Sequence, residues 1–188
     1  LPAKAQVREM TKRLSQSELE RYLWGAATLL RGLVDASDYK QYIFPLLFFK
    51  RLSDVWDEET AEAAETFGDA DPNLFPEVHR FTVPEGCHWR DVRETSTNVG
   101  SALLKAMRSV EKANPDTLYR VFGTADWGNK EKFTDELLKD LIEGFSSIPL
   151  GNKSVSTDVL GDAYEYLIGK FADVTRRNKA GEFYTPRS

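Results

Sequence analysis

The sequence predicts a mainly α, multi-helix, bundle-like domain with one short β-hairpin near residues 79–90. Apolar residues recur at i, i+3, i+4 and i+7 through most of the chain, the spacing that lines one face of a helix. Ser, Thr, Asp or Asn precedes most of these stripes, where a side-chain oxygen can accept from the first free N–H groups of a helix. A strand-like run bounded by a Pro-Glu-Gly turn occurs in one place, from His79 to Trp89.

Residues 1–14 read as an arm, with Lys4, Arg8, Lys12 and Arg13 and little apolar surface. Ser15 to Glu20 holds two overlapping Ser-x-x-Glu capping boxes, a helix start. Leu19, Tyr22, Leu23, Ala26, Leu30 and Leu33 then form one stripe, and the helix is expected to end between Gly32 and Asp35. Asp35 to Asp38 caps the next helix, which is apolar almost all round between Ile43 and Phe49 and so is predicted to be central and buried. Pro45 should kink it or mark its first turn. Its acidic continuation is expected to stay helical and exposed until Gly68.

Asp69 to Pro72 reads as a loop, followed by the hairpin of His79–Val83 and Cys87–Trp89 around Pro84-Glu85-Gly86. Asn98 is placed to cap a helix carrying Val99, Leu103, Leu104, Met107 and Val110. Asn114-Pro115-Asp116 opens a short helix towards Gly123, and Thr134 caps the segment of Leu137, Leu138, Leu141, Ile142 and Phe145. After the polar stretch 151–156, Ser156 or Thr157 caps a last helix bearing Val159, Leu160, Ala163, Tyr164, Leu167 and Phe171. The organisation expected is an arm (1–14), a helical domain (15–172) and a basic connector (173–188) entering a further domain.

Composition excludes several functions. The longest apolar run, Ile43 to Phe49, is far below the about 20 residues that span a bilayer, and no signal-peptide pattern follows the basic start. One cysteine, Cys87, rules out an internal disulfide and fits a reducing, cytoplasmic setting. With only two histidines beside it there is no usual zinc set, and adjacent Cys87 and His88 are expected to be structural or surface residues. A formal net charge of −5 gives no global attraction to nucleic acid. The charge is segregated, however. Asp54 to Asp71 carries eight acidic and no basic residues and reads as a solvated face, whereas Lys170, Arg176, Arg177, Lys179 and Arg187 make the C-terminal part basic.

The most informative segment is Gly181-Glu182-Phe183-Tyr184-Thr185-Pro186-Arg187-Ser188. Gly181 frees the backbone, and Pro186 fixes φ and pushes Thr185 to an extended conformation. Phe183 and Tyr184 offer flat faces for a ring or sulfonium-bearing ligand, and Thr185 offers a hydroxyl. No glycine-rich phosphate loop, zinc signature or Ser/His/Asp set accompanies it.

These residues resemble the Gly-x-Phe-Tyr-Thr-Pro-Arg segment ahead of the catalytic domain in modification (M) subunits of type I restriction-modification systems, which are N6-adenine DNA methyltransferases. Leu23 to Gly32 running into Asp35–Lys40 is similar to the opening of that family's helical domain, and Leu46-Leu47-Phe48-Phe49-Lys50-Arg51-Leu52-Ser53-Asp54 to its central helix. Gly161 to Phe171 resembles its exit. The resemblance implies that Glu182, Phe183, Tyr184, Thr185, Pro186 and Arg187 line an S-adenosylmethionine pocket. It implies too that Lys170, Arg176, Arg177 and Lys179 lie near double-stranded DNA. Its implied partners are a specificity subunit, a second M subunit and a restriction subunit, with the helical domain serving assembly and DNA enclosure. Exposed members of Trp24, Trp56, Trp89 and Trp127 are candidate contacts, Trp24 being expected in the core. Such an enzyme needs an Asp-Pro-x-x-Gly-x-Gly-like turn and an Asn-Pro-Pro-aromatic motif to hold cofactor and flipped adenine. Neither occurs here, so these residues alone are expected to bind the cofactor negligibly and to methylate nothing. The alternative reading is a stand-alone helical adaptor that binds protein or DNA without catalysis.

Overall fold

The structure, a computed structural model, describes residues 13–68 and 76–183, with side chains described as far as Lys170 except at Ala36 and Pro76. Among these residues lie six α-helices: α1 (Gln16–Ala27), α2 (Tyr39–Phe67), α3 (Trp89–Arg93), α4 (Val99–Ala113), α5 (Asp135–Ser146) and α6 (Thr157–Phe183). The mainly α architecture agrees with the helical periodicity. No helix among the described residues is long and apolar enough to cross a membrane.

Local signals start the helices much as the sequence suggests. Ser15 Oγ accepts the Glu18 N–H (3.2 Å) and Thr134 Oγ1 the Leu137 N–H (3.2 Å). Helix α1 stops earlier than its stripe and tightens into a 3₁₀ turn, Thr28–Leu30, where the Thr28 hydroxyl donates to the Gly25 carbonyl (2.7 Å). The turn still buries Leu30, so the apolar stripe survives the change of helix type. Helix α2 runs 29 residues through Pro45 without ending. The donor that proline lacks would have served the carbonyl of Gln41, an exposed residue. Gly68, at φ 74°, closes α2 in a conformation that favours glycine.

Around α2 the other helices bury one continuous core. Helix α1 packs on α5 and α6, and α4 on α5. Leu19, Leu23, Ile43, Leu46, Leu103, Leu138, Leu141 and Phe145 are fully buried in it. At one end Tyr42, Trp127 and Phe133 form a three-ring cluster with centroids 5.1–5.3 Å apart. A Cβ on Gly100 would fall 1.9 Å from the Trp127 carbonyl oxygen, so this close approach of α4 requires glycine. Asn98 does not cap α4 with its side chain. Instead the Asp135 carboxylate accepts the N–H groups of Asn98 and Val99 (3.0 Å each), tying the start of α5 to the start of α4. Those backbone bonds, Val99 first, hold the Asp135 pKa below the usual carboxylate value.

The β-hairpin expected near 79–90 is absent: apart from a single bridge between Arg31 and Val34, the described residues contain no strand pairing. The segment instead holds a 3₁₀ turn (Pro76–Val78), an extended stretch, a turn at Glu85–Gly86 and α3. Side chains satisfy the backbone that a strand partner would have served. The Asn114 amide takes the Thr82 N–H (2.9 Å) and donates to the Thr82 carbonyl (2.8 Å), as a neighbouring strand would. Glu59 accepts the Arg80 N–H (2.9 Å), and His79 stacks on Trp56 with centroids 4.3 Å apart. The stretch after Asn114 is likewise a chain of turns rather than a helix. Arg120 (φ 53°) and Gly123 (φ 69°) leave the right-handed helical region, and the buried Glu111 carboxylate captures the Phe122 N–H (3.3 Å).

Candidate functional site

Four charged side chains of α2 grip the segment 148–157 that leads into α6. Lys50 Nζ donates to the Ile148 carbonyl (2.9 Å) and to the Asp54 carboxylate. Arg51 Nη1 donates to the carbonyls of Leu150 (2.8 Å) and Val155 (2.7 Å), and Nη2 to the Asn152 side-chain oxygen and the Thr157 hydroxyl (3.4 Å). Asp54 accepts the Leu150 N–H (2.8 Å), and Glu58 accepts those of Asn152 (2.9 Å) and Lys153 (3.0 Å). A Cβ on Gly151 would lie 2.0 Å from Glu58 Oε1, so the loop meets the helix where a side chain would intrude. Lys50 and Arg51 are both buried. Burial lowers the Arg51 pKa from its ordinary value, while the Glu58 and Asp54 carboxylates oppose that shift. The guanidinium fork suits the task, because it sends donors in fixed directions to several acceptors at once. This latch fastens the first turn of α6 to the central helix.

Beside the latch, a cavity of about 360 Å³ opens between α2, α6 and the stretch around Phe81. Phe44, Phe48, Phe81 and Tyr164 supply aromatic walls, and Arg80, Glu59 and Asn152 supply polar groups. Burial raises the Tyr164 pKa, with Glu165 adding to the shift. Nothing in the cavity pairs a nucleophile with a base. Among the described residues no group of three His, Cys, Asp or Glu is placed to hold a metal ion. His88 and Cys87 are structural. His88 Nδ1 accepts the Arg90 N–H (3.0 Å), which assigns the proton to Nε2, within reach of the Ser53 carbonyl (3.2 Å) and Asp57 Oδ1 (3.0 Å). Cys87 is buried.

The residues singled out from the sequence are distributed along α6 rather than gathered at one point. The helix continues through 173–183, the stretch read as a connector, so Arg176, Arg177, Lys179, Glu182 and Phe183 lie on its backbone. Tyr184, Thr185, Pro186 and Arg187 lie outside the described residues. Lys170 is placed in full: its Nζ sits 4.0 Å from the centroid of Trp24 on α1. At 1.5 Å per residue, Phe183 lies roughly 20 Å further along the axis.

The four tryptophans separate. Trp127 and Trp89 are buried, and the Trp89 indole N–H donates to Ser146 Oγ (2.8 Å), which removes both from the candidate contact surface. Trp24 and Trp56 are half-buried. Sequence reading treated Lys50 and Arg51 only as part of a core motif. Their task was hidden because the partners lie about a hundred positions away, and the one local hint was two adjacent cations directly after the apolar run Ile43–Phe49.

Comparison with known proteins places these features. Residues 19–145 match the family model of the HsdM N-terminal domain, and residues 155–188 match that of N-6 DNA methylase. The gap between the two matches overlaps the segment that Lys50, Arg51, Asp54 and Glu58 hold. The chain is 27% identical to the MjaIX methylase subunit of a type I restriction enzyme from Methanocaldococcus jannaschii, covering 91% of this chain and 34% of that protein. It is 24% identical to the MpnII methylase subunit of Mycoplasma pneumoniae, covering 90% of this chain and 37% of that protein. It thus spans about a third of the length of these curated relatives. In fold it is similar to the type I restriction-modification methyltransferase subunit of Streptococcus thermophilus, with TM-score 0.64 and 24% identity over 84% of this chain and 39% of that one. With the larger family match covering well over half of its residues, the chain belongs to the HsdM N-terminal domain family of type I restriction-modification methylase subunits.

Proposed function

We propose that this chain is the helical portion of a DNA methyltransferase subunit that transfers a methyl group from S-adenosylmethionine to adenine N6. The observation that carries the reading is the order of the two family matches, a helical domain followed closely by a match to N-6 DNA methylase. The latch supports it. A helix leading from one domain into another transmits orientation only if its root is fixed, and the root of α6 is held by α2. In this reading Glu182, Phe183, Tyr184, Thr185, Pro186 and Arg187 form one wall of the cofactor pocket, and Arg176, Arg177 and Lys179 face DNA. The helical domain serves assembly with a specificity subunit, a second methylase subunit and a restriction subunit, and helps to enclose the duplex. These 188 residues contain neither the glycine turn nor the Asn-Pro-Pro-aromatic motif, so they do not transfer methyl groups alone.

The test is transfer of labelled methyl from S-adenosylmethionine to duplex DNA by the full-length subunit with its specificity subunit. Label at adenine N6 with the full assembly, and none with the 188-residue chain alone, is the expected result. Label on cytosine, or transfer by this chain alone, overturns the reading.

A further inference from the structure

Around Trp24 two cations from separate elements converge on one indole. Lys170 Nζ, from α6, lies 4.0 Å from the ring centroid, and Arg31 Cζ, from the turn after α1, lies 5.7 Å from it. The two charges are therefore no further apart than about one Debye length at ordinary ionic strength, roughly 8–10 Å. Like charges at that separation repel, and among the described residues neither has a carboxylate within the 4.0 Å of an ion pair. One turn back along α1, Arg21 lies 5.4 Å over the ring of Tyr22, which is exposed. The aromatic faces hold these cations in place by cation–π attraction, and among the described residues none of the three has an ion-pair partner.

The buried charges are held differently. Lys50, Arg51 and Glu111 each end on a named hydrogen-bond partner. Beside Trp24 and Lys170, Gly25 and Gly169 are exposed and carry no side chain, and a Cβ at either would meet nothing within 4 Å.

We propose that Arg31 and Lys170, held by Trp24, form a contact site for consecutive phosphates of double-stranded DNA, with Arg21 at its edge. The inference rests on the DNA-methyltransferase reading for its ligand and adds a site to it on the helical domain. Two cations within about 10 Å of each other suit a phosphodiester strand, because each strand of duplex DNA carries one charge for about every 3.4 Å of helix axis. Contacts of this kind fix position and orientation and read no sequence. The exposed acidic half of α2, with Asp57, Glu62 and Glu65, repels the same polyanion, so the duplex is directed to the face built from α1 and α6.

The test is binding of a fluorescein-labelled 20-base-pair duplex to this chain, by anisotropy, across a salt series and without methyl donor. Each phosphate contact contributes about 0.9 to the slope of log K against log salt. Arg31→Gln with Lys170→Gln is expected to flatten that slope by about 1.8, while Arg31→Lys with Lys170→Arg keeps it. An unchanged slope in the Gln pair overturns the proposal. So does an unchanged slope with lost binding to the specificity subunit, which would make the cluster a protein interface. Because no methyl transfer is measured, the outcome is separable from the enzyme reading. Labelled adenine with an unchanged slope sinks the contact site alone, and a flattened slope without methylation by the full assembly sinks the enzyme reading alone.

Discussion

Arg51 and Arg31 show how the same side chain is used in two regions of one small domain. Arg51 lies within α2, buried, and its guanidinium ends on two backbone carbonyls, an amide oxygen and a hydroxyl of the 148–157 segment. Arg31 lies in an exposed turn, stacks with Lys170 on Trp24, and has no carboxylate beside it among the described residues. Withdrawing a guanidinium from water is costly unless acceptors replace the lost hydration, so Arg51 is committed to the fold. Arg31 keeps its hydration and its charge, and both remain free for a partner. The difference teaches that burial and the number of acceptors, rather than residue type, separate a charge that builds the domain from one that serves it.

The largest effect should come from breaking the buried side of this comparison. Arg51→Met removes the donors of the Leu150 and Val155 carbonyls and should cost about 3 kcal/mol in urea denaturation. Arg51→Lys should recover only part of this, because one ammonium replaces a two-ended fork. A loss below about 1 kcal/mol would show that the latch adds little to stability.

A neutral latch offers a milder case. Asn114→Ala strips the Thr82 backbone of both its amide partners and the Val110 carbonyl of a donor, and should cost about 1–2 kcal/mol. Amide exchange at Thr82 should accelerate more than exchange in α5. Equal acceleration throughout would mean that the 79–88 stretch unfolds only with the whole domain.

Smaller still is the pH response of His79, half-buried against Trp56. Burial lowers its folded pKa below the ordinary 6.5, while Glu59, Asp57 and a hydrogen bond to the Trp56 backbone pull the other way. The unfolded chain then binds the proton more readily, so stability falls as pH drops below about 6.5 and levels off under the depressed folded value. Urea midpoints between pH 7.5 and 5 should show this slope, and His79→Gln should flatten that part of it. A slope unchanged in the variant would assign the effect elsewhere. Smallest of all, Arg31→Gln with Lys170→Gln should change stability by less than about 0.5 kcal/mol. A loss as large as that of Arg51→Met would place the Trp24 cluster on the structural side of the comparison.

How much was legible in the sequence follows the range of the interactions involved. Ser15, Gly68 and Thr134 act within four positions of themselves, and the helix ends they mark are where periodicity put them. The hairpin near 79–90 was misread because extended backbone and β-pairing share one local signature. Here the partners are the side chains of Asn114 and Glu59, more than twenty positions away. Pro45 and the early end of α1 are similar cases, in which burial of α2 and of Leu30 outweighs local preference. At the candidate site the family was legible in three ordered stretches and the closing Gly181–Arg187 segment, since recognition needs only residue order. The latch was not, although Lys50, Arg51 and Asp54 lie within one of those stretches.

By itself, the sequence determined the helical class, most helix starts, the exclusion of a bilayer-spanning segment and the family resemblance, because short-range hydrogen bonds and apolar periodicity are written in consecutive residues. Only the tertiary structure decided which charges are spent inside and which are left outside. That choice depends on what the chain brings back against them, Val155 against Arg51 and Lys170 against Trp24, at separations over which periodicity carries no information.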